Sequence, residues 1–102
     1  MIQIQTTSNL KKVLKNIATD LLKQKLAVCT HITKISCSSY IWKNEIVNEK
    51  EYKLEIKTIK KHKKNIISII KENHNYEVFE LLVNDISNIN KDYEKWFKRE
   101  IK

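Results

Sequence analysis

Four groups of residues in this 102-residue chain have the types and spacing to do chemistry. His74, Tyr76, Glu77 and Glu80 crowd one short stretch, and an imidazole with two carboxylates on one loop would suit a hard or borderline divalent cation. His74 and Glu77 are equally suited to hydrogen bonding across a subunit interface. Cys29 and His31, two positions apart, share a face if their segment is a strand, and a thiolate beside an imidazole can chelate one ion. The plainer reading of that pair is a small buried Cys next to a satisfied His. Tyr40 and Trp42 flank Ile41 as aromatic platforms for a ligand or a base would, and as interface aromatics also do. His62 sits in KKHKK, a basic run that could meet phosphate or simply form a solvated helix start.

Covalent and hydrolytic chemistry finds no framework. There is no Gly-rich phosphate loop, no HExxH, no CxxC and no strand-turn nucleophile setting around any serine. Glu49 and Glu51 are paired carboxylates, but they read as part of a polar turn among lysines, with nothing to perturb them. The expectation is a protein that is not an enzyme.

The elements that would position these groups follow from periodicity. Ile2 and Ile4 open a short strand, and Thr6, Thr7, Ser8 and Asn9 supply capping residues for a helix. Leu10, Val13, Leu14, Ile17 and Leu21 then recur at helical spacing. Leu26 to Trp42 is rich in β-branched and aromatic residues, long enough for a bent or overhanging strand. After the polar link KNEIVNEKE, Tyr52, Leu54, Ile56 and Thr58 alternate with polar residues, predicting a second strand that pairs with the first as a long hairpin. Lys60 to Asn73 predicts a helix, Val78 to Val83 a short strand, and Asp92 to Ile101 a last helix with Tyr93, Trp96, Phe97 and Ile101 on one face. The order βαββαβα in one domain, residues 1–102, predicts an α+β, ferredoxin-like split βαβ fold with a C-terminal helix. Two helices cover one face of its antiparallel sheet, leaving the other for a partner subunit or the third helix.

Composition narrows the setting. The net charge is +8, from 20 Lys and Arg against 12 Asp and Glu, which raises nucleic acid as a partner. The chain has no Gly and no Pro, while Ile, Lys and Asn supply 45 of its 102 residues, the composition that an AT-rich genome writes. The lysines are dispersed among glutamates rather than gathered into a stripe, so a basic nucleic-acid-binding module is kept as the alternative. No run of 18 apolar residues exists and the start MIQIQTTSN lacks the pattern of a signal peptide, which predicts a cytoplasmic protein without membrane contact. Cys29 and Cys37 are then expected to be free thiols.

Several of these segments resemble one family. Leu26, Ala27, Val28 and Cys29, then Ser38, Ser39, Tyr40, Ile41 and Trp42, look like the LAACV and SxYxW patterns of the CutA family of divalent-ion tolerance proteins. Lys57 and Thr58 end the next strand as in that family; His74, Tyr76, Glu77, Val78 and Glu80 resemble its HPYEVPE segment, and Tyr93 and Trp96 its closing YxxW. The family's Pro and Gly positions are taken by Lys34, Ile35, Asn44, Asn75 and Phe79, and of these Asn44 best tolerates a left-handed turn. The resemblance implies a homotrimer that functions in tolerance of copper and other divalent ions, non-catalytic, with a signalling or adaptor role. It implies Tyr40, Trp42, Tyr76, Glu77 and Glu80 at subunit clefts. Copper or zinc would be the bound cation, and the family's copper positions fall on Gln5, Asn73 and His74, of which only His74 is an imidazole.

Overall fold

The computed structural model describes every residue except Asn88. Strand β1 (Ile2–Ser8) alternates buried and half-buried positions, so Ile2, Ile4, Thr6 and Ser8 face the core and Gln3, Gln5 and Thr7 the other way. Helix α1 (Lys11–Lys23) buries Leu14, Ile17, Ala18 and Leu21. The predicted capping residues are used differently. Leu10 is the N-cap and no side chain caps the helix. The Ser8 hydroxyl accepts from the Leu10 N–H and donates to Asn75 Oδ1, while Asn75 Nδ2 donates to Asn9 Oδ1. These side chains tie the strand end to a distant loop.

The C-terminus of α1 closes in a Schellman motif. Lys25 donates to the Leu22 carbonyl and Leu26 to that of Leu21, and Leu21 and Leu26 are both buried. Lys25 holds the left-handed residue at φ 56°, a position where glycine is usual.

Strands β2 (Cys29–Trp42) and β3 (Glu45–Thr58) form the long hairpin. Its turn is only Lys43 and Asn44, at φ 50° and 65°, since Trp42 pairs with Glu45. The expected left-handed Asn44 is present, but KNEIVNEKE is not a link: from Glu45 onward it is strand. Between Ile35 and Ser38 the register shifts, a β-bulge midway along β2. The hairpin contributes to a long axis of 46 Å against a short one of 20 Å.

A 3-10 turn (Lys60–His62) leads into α2 (Lys63–Asn73), which buries Ile66 and Ile70. Strand β4 is Leu82–Asp85, shorter and later than the predicted Val78 to Val83. The ladder with β1 ends where Leu82 meets Gln5; at the next step the Thr6 hydroxyl, not a main-chain N–H, bonds the Glu80 carbonyl. Residues 76–81 are therefore loop, with Phe79 and Leu81 still packed on the core. Helix α3 (Lys91–Glu100) starts at Asn90, whose Oδ1 accepts from the Asp92 and Tyr93 N–H groups. Phe97 is its buried residue, with Tyr93 and Trp96 half-buried and tilted together at 5.4 Å.

The sheet order is β2-β3-β1-β4, with every pairing antiparallel, as the split βαβ arrangement requires. The core cluster joins α1 and α2 to Ile2, Ile4, Leu54 and Ile56 on one face. The second face carries Gln3, Gln5, Thr7, Glu49, Glu51, Lys53, Glu55 and Lys57.

Candidate functional site

That second face holds a cleft of about 680 Å³. Its floor is Gln5 and Thr7 of β1 with Glu49, Glu51 and Lys53 of β3; Ile35, Ser38, Ser39, Tyr40 and Trp42 of β2 flank it. The loop after α2 supplies Asn75, Tyr76, Glu77, Val78 and Glu80. Thus Tyr40, Trp42, Tyr76, Glu77 and Glu80, far apart in sequence, line one cavity. His74 sits beside it rather than among its lining residues.

Glu49 and Glu51 are the site residues that sequence reading passed over. Assigned to a polar turn, they are neighbours on one face of β3, and Glu51 is only 7% exposed. Their i, i+2 spacing was the available signal, hidden because the strand was started too late.

Both carboxylates converge on one hydroxyl. Tyr76 Oη lies 2.7 Å from Glu49 Oε1 and 2.6 Å from Glu51 Oε2, and accepts the Asn9 N–H at 2.8 Å. A phenol has one proton, so it donates to one carboxylate at a time and meets the other lone pair to lone pair. Burial, then the two carboxylates, drives the Tyr76 pKa far above its ordinary value. Tyr40 Oη reaches Glu49 Oε2 at 3.4 Å, and its pKa is raised by desolvation and by Glu49. With Glu77 and Glu80 at the rim, four carboxylates and Lys53 give an acidic cleft in a chain of net charge +8.

His74 holds the loop in place. Its Nε2 is 2.8 Å from the Thr7 carbonyl, which can only accept, and its Nδ1 accepts the Tyr76 N–H at 3.0 Å. The ring is therefore a neutral Nε2–H tautomer, consistent with a pKa lowered by burial against the opposing pull of Thr7 and Glu51. Phe79 stacks on the ring at 4.7 Å and 11°. Gln5 Nε2 donates to Glu80 Oε2, and Asn73 Nδ2 turns back to the Ile69 carbonyl. Neither His74 nitrogen offers a free lone pair, and the amides of Gln5 and Asn73 are engaged elsewhere. In this arrangement the three positions do not fit a copper ion. Among the described residues no group of three or more His, Cys, Asp or Glu is arranged to hold a metal.

The other candidates lie apart. Cys29 and His31 share the second face on β2, with Sγ 3.8 Å from Nε2. Cys37, also a free thiol, is exposed near the bulge. His62 departs from the expected solvated helix start: its lysine neighbours are exposed, but the tight 3-10 turn carries it inward to 6% exposure, with Nε2 lacking a partner among the described residues. No helix among the described residues is long and apolar enough to cross a membrane.

Comparison with known proteins places these features in a family. The model of the CutA1 divalent ion tolerance protein matches residues 2–100. The divalent-cation tolerance protein CutA of Yersinia pestis (strain Pestoides F) is 33% identical over 82 residues, covering 80% of this chain and 69% of its own. The crystal structure of CutA1 from Pyrococcus horikoshii is similar at a TM-score of 0.91 and 28% identity, over 100% of this chain and 99% of that one. CutA1 from Oryza sativa gives 0.91 and 29%, over 99% and 93%.

Proposed function

The chain belongs to the CutA1 divalent-ion tolerance family, and from that premise we propose that it serves metal tolerance as a non-catalytic cytoplasmic homotrimer whose acidic cleft answers divalent cations. The observation that carries this reading is the cleft itself, lined by Glu49, Glu51, Glu77 and Glu80 in a strongly basic chain, with Glu49 and Glu51 converging on Tyr76. Oxygen donors of this kind favour hard and borderline divalent ions. His74 acts here as the joint that fixes the loop, and Tyr76 as the hydroxyl on which the two β3 carboxylates converge, bonded to one of them at a time.

The trimer reading rests on the hairpin arm. Ile41 and Ile46 are 76% and 77% exposed at its tip, beside Trp42 and Tyr40. Such a cluster on a thin projection is a surface for another copy. A bound cation or a basic side chain from that copy would neutralise the second carboxylate at Tyr76, and such a change at a subunit boundary is how an adaptor could report metal.

The test combines sedimentation equilibrium at micromolar concentration with calorimetric titration of the metal-free protein with zinc and with copper(II). A trimer that binds either ion saturably is expected, with binding weakened in Glu51→Gln and kept in His74→Gln. A monomer sinks the assembly reading. Absence of binding, or loss in His74→Gln alone, sinks the acidic-cleft reading.

A further inference from the structure

Away from the cleft, the second sheet face carries a sulfur and nitrogen pair near its β2 edge. Cys29 and His31 are opposite Lys57 and Glu55 in the ladder, and Cys29 Sγ stands 3.8 Å from His31 Nε2. Lys57 Nζ is 3.3 Å from His31 Nδ1. An ammonium can only donate, so Nδ1 accepts and the ring proton sits on Nε2, facing the sulfur. Tyr93 of α3 is close by, its pKa raised by burial and then by Cys29.

We propose that Cys29 and His31 form a two-donor site for a soft monovalent cation, copper(I), distinct from the acidic cleft and independent of its function. The spacing is close to what a single ion needs: metal–thiolate and metal–imidazole bonds of about 2.3 and about 2.0 Å reach about 4.3 Å in the near-linear geometry of a two-coordinate ion, so the 3.8 Å gap has to open by only about 0.5 Å, which the exposed His31 side chain permits. The donor count selects the ion. Zinc in closed protein sites takes four ligands, but Glu55 is held by Gln3 Nε2 at 2.6 Å and by Lys53 at 3.8 Å. Thiolate donors favour copper(I), which accepts low coordination. Charge selects it again: thiolate and copper(I) sum to zero beside the Lys57 ammonium, whereas a dication would leave a positive charge there.

Binding exchanges protons in a defined way. The Cys29 thiol gives its proton to solvent as the sulfur–copper bond forms. The imidazole proton passes from Nε2 to Nδ1 by exchange with water, freeing the Nε2 lone pair, and Lys57 withdraws from Nδ1. One proton is released per ion, and no electron is transferred.

The experiment is an anaerobic titration in which the protein competes with bicinchoninate for copper(I), read by the colour of the chelator complex. One ion per chain is expected, lost in Cys29→Ser, weakened at least ten-fold in His31→Gln, and unchanged in Cys37→Ser and His74→Gln. Lys57→Met should tighten binding several-fold by removing the competing donor and its charge. Full retention in His31→Gln or in Cys29→Ser overturns the proposal, as does displacement of the copper by equimolar zinc. X-ray absorption on the unaltered protein needs no variant: one sulfur and one imidazole nitrogen support the site, and an all-sulfur or four-coordinate shell overturns it.

Discussion

Replacing Tyr76 with Phe removes one oxygen atom and leaves the ring, which isolates what that hydroxyl contributes. The oxygen serves Asn9 N–H, Glu49 and Glu51. Asn9 is exposed, so water can take over its N–H at little cost. A hydrogen bond to a charged group contributes about 1.5–3 kcal/mol, and Glu51, 7% exposed, has little water to replace the one it loses. The contact with the second carboxylate is repulsive, so losing it returns part of that cost. The expected loss is therefore about 2 kcal/mol. Glu51→Gln keeps an acceptor and should cost about 1 kcal/mol, the value of a neutral hydrogen bond. Glu49→Gln relieves the repulsion and should be close to neutral. The assay is urea unfolding at several fixed protein concentrations, since assembly adds to apparent stability. If Tyr76→Phe falls within the about 0.5 kcal/mol typical of surface changes, or Glu49→Gln costs more than Glu51→Gln, the proton accounting is wrong.

Lys25→Gly should stabilise the chain by about 1 kcal/mol in the same assay, because a left-handed conformation costs a non-glycine residue about 1–2 kcal/mol and glycine offsets part of this through unfolded-state entropy. The pKa of His62 is lowered by burial and by Lys61 and Lys102, so the unfolded chain takes up its proton first as pH falls; stability should be full above pH 6.5 and decline below it, and His62→Phe should flatten that slope in thermal scans from pH 7.5 to pH 5. Ile41→Lys with Ile46→Lys, both at the exposed hairpin tip, should shift sedimentation toward monomer while leaving the far-UV circular dichroism unchanged; an unaltered mass would remove the tip from the interface.

Alternation and helical spacing carried most of the fold in readable form. Leu14, Ile17 and Leu21 are the buried stripe of α1, and Leu54, Ile56 and Thr58 the buried face of β3, because burial on one side imposes those periods. The turn at Lys43 and Asn44 was half visible: Asn signals a left-handed residue, but Lys at φ 50° carries no local signal and is imposed by hairpin pairing. The loop around Phe79 was misread as strand because apolar residues that reach the core from a loop look like those of a short strand. Of the cleft lining, Tyr40 and Trp42 on β2 and Tyr76, Glu77 and Glu80 on the loop were named through the family resemblance, whereas Glu49 and Glu51 on β3 were not. The Tyr76 cluster was not, since nothing local couples position 76 to 49 and 51; only the β3 register and the path of the loop bring them together.

The order of charges along β3 would separate the two cation chemistries proposed for the second face. Glu49 and Glu51 belong to the cleft, Lys53 and Glu55 pair at 3.8 Å, and Lys57 stands over His31. A hard dication entering the cleft finds carboxylate and phenol oxygens, and before it reaches Cys29 it meets Lys53 and then Lys57, whose charges oppose it. A soft monovalent ion gains little from those oxygens and most from a thiolate. Residue type alone could not establish this division, since His74 is the more conspicuous histidine in the sequence. It follows from tautomers: Thr7 and Tyr76 occupy both nitrogens of His74, whereas His31 is exposed and its nitrogens meet the Lys57 ammonium and a weak sulfur contact. Of these two imidazoles, only His31 could exchange its proton for a metal without dismantling the loop that shapes the cleft.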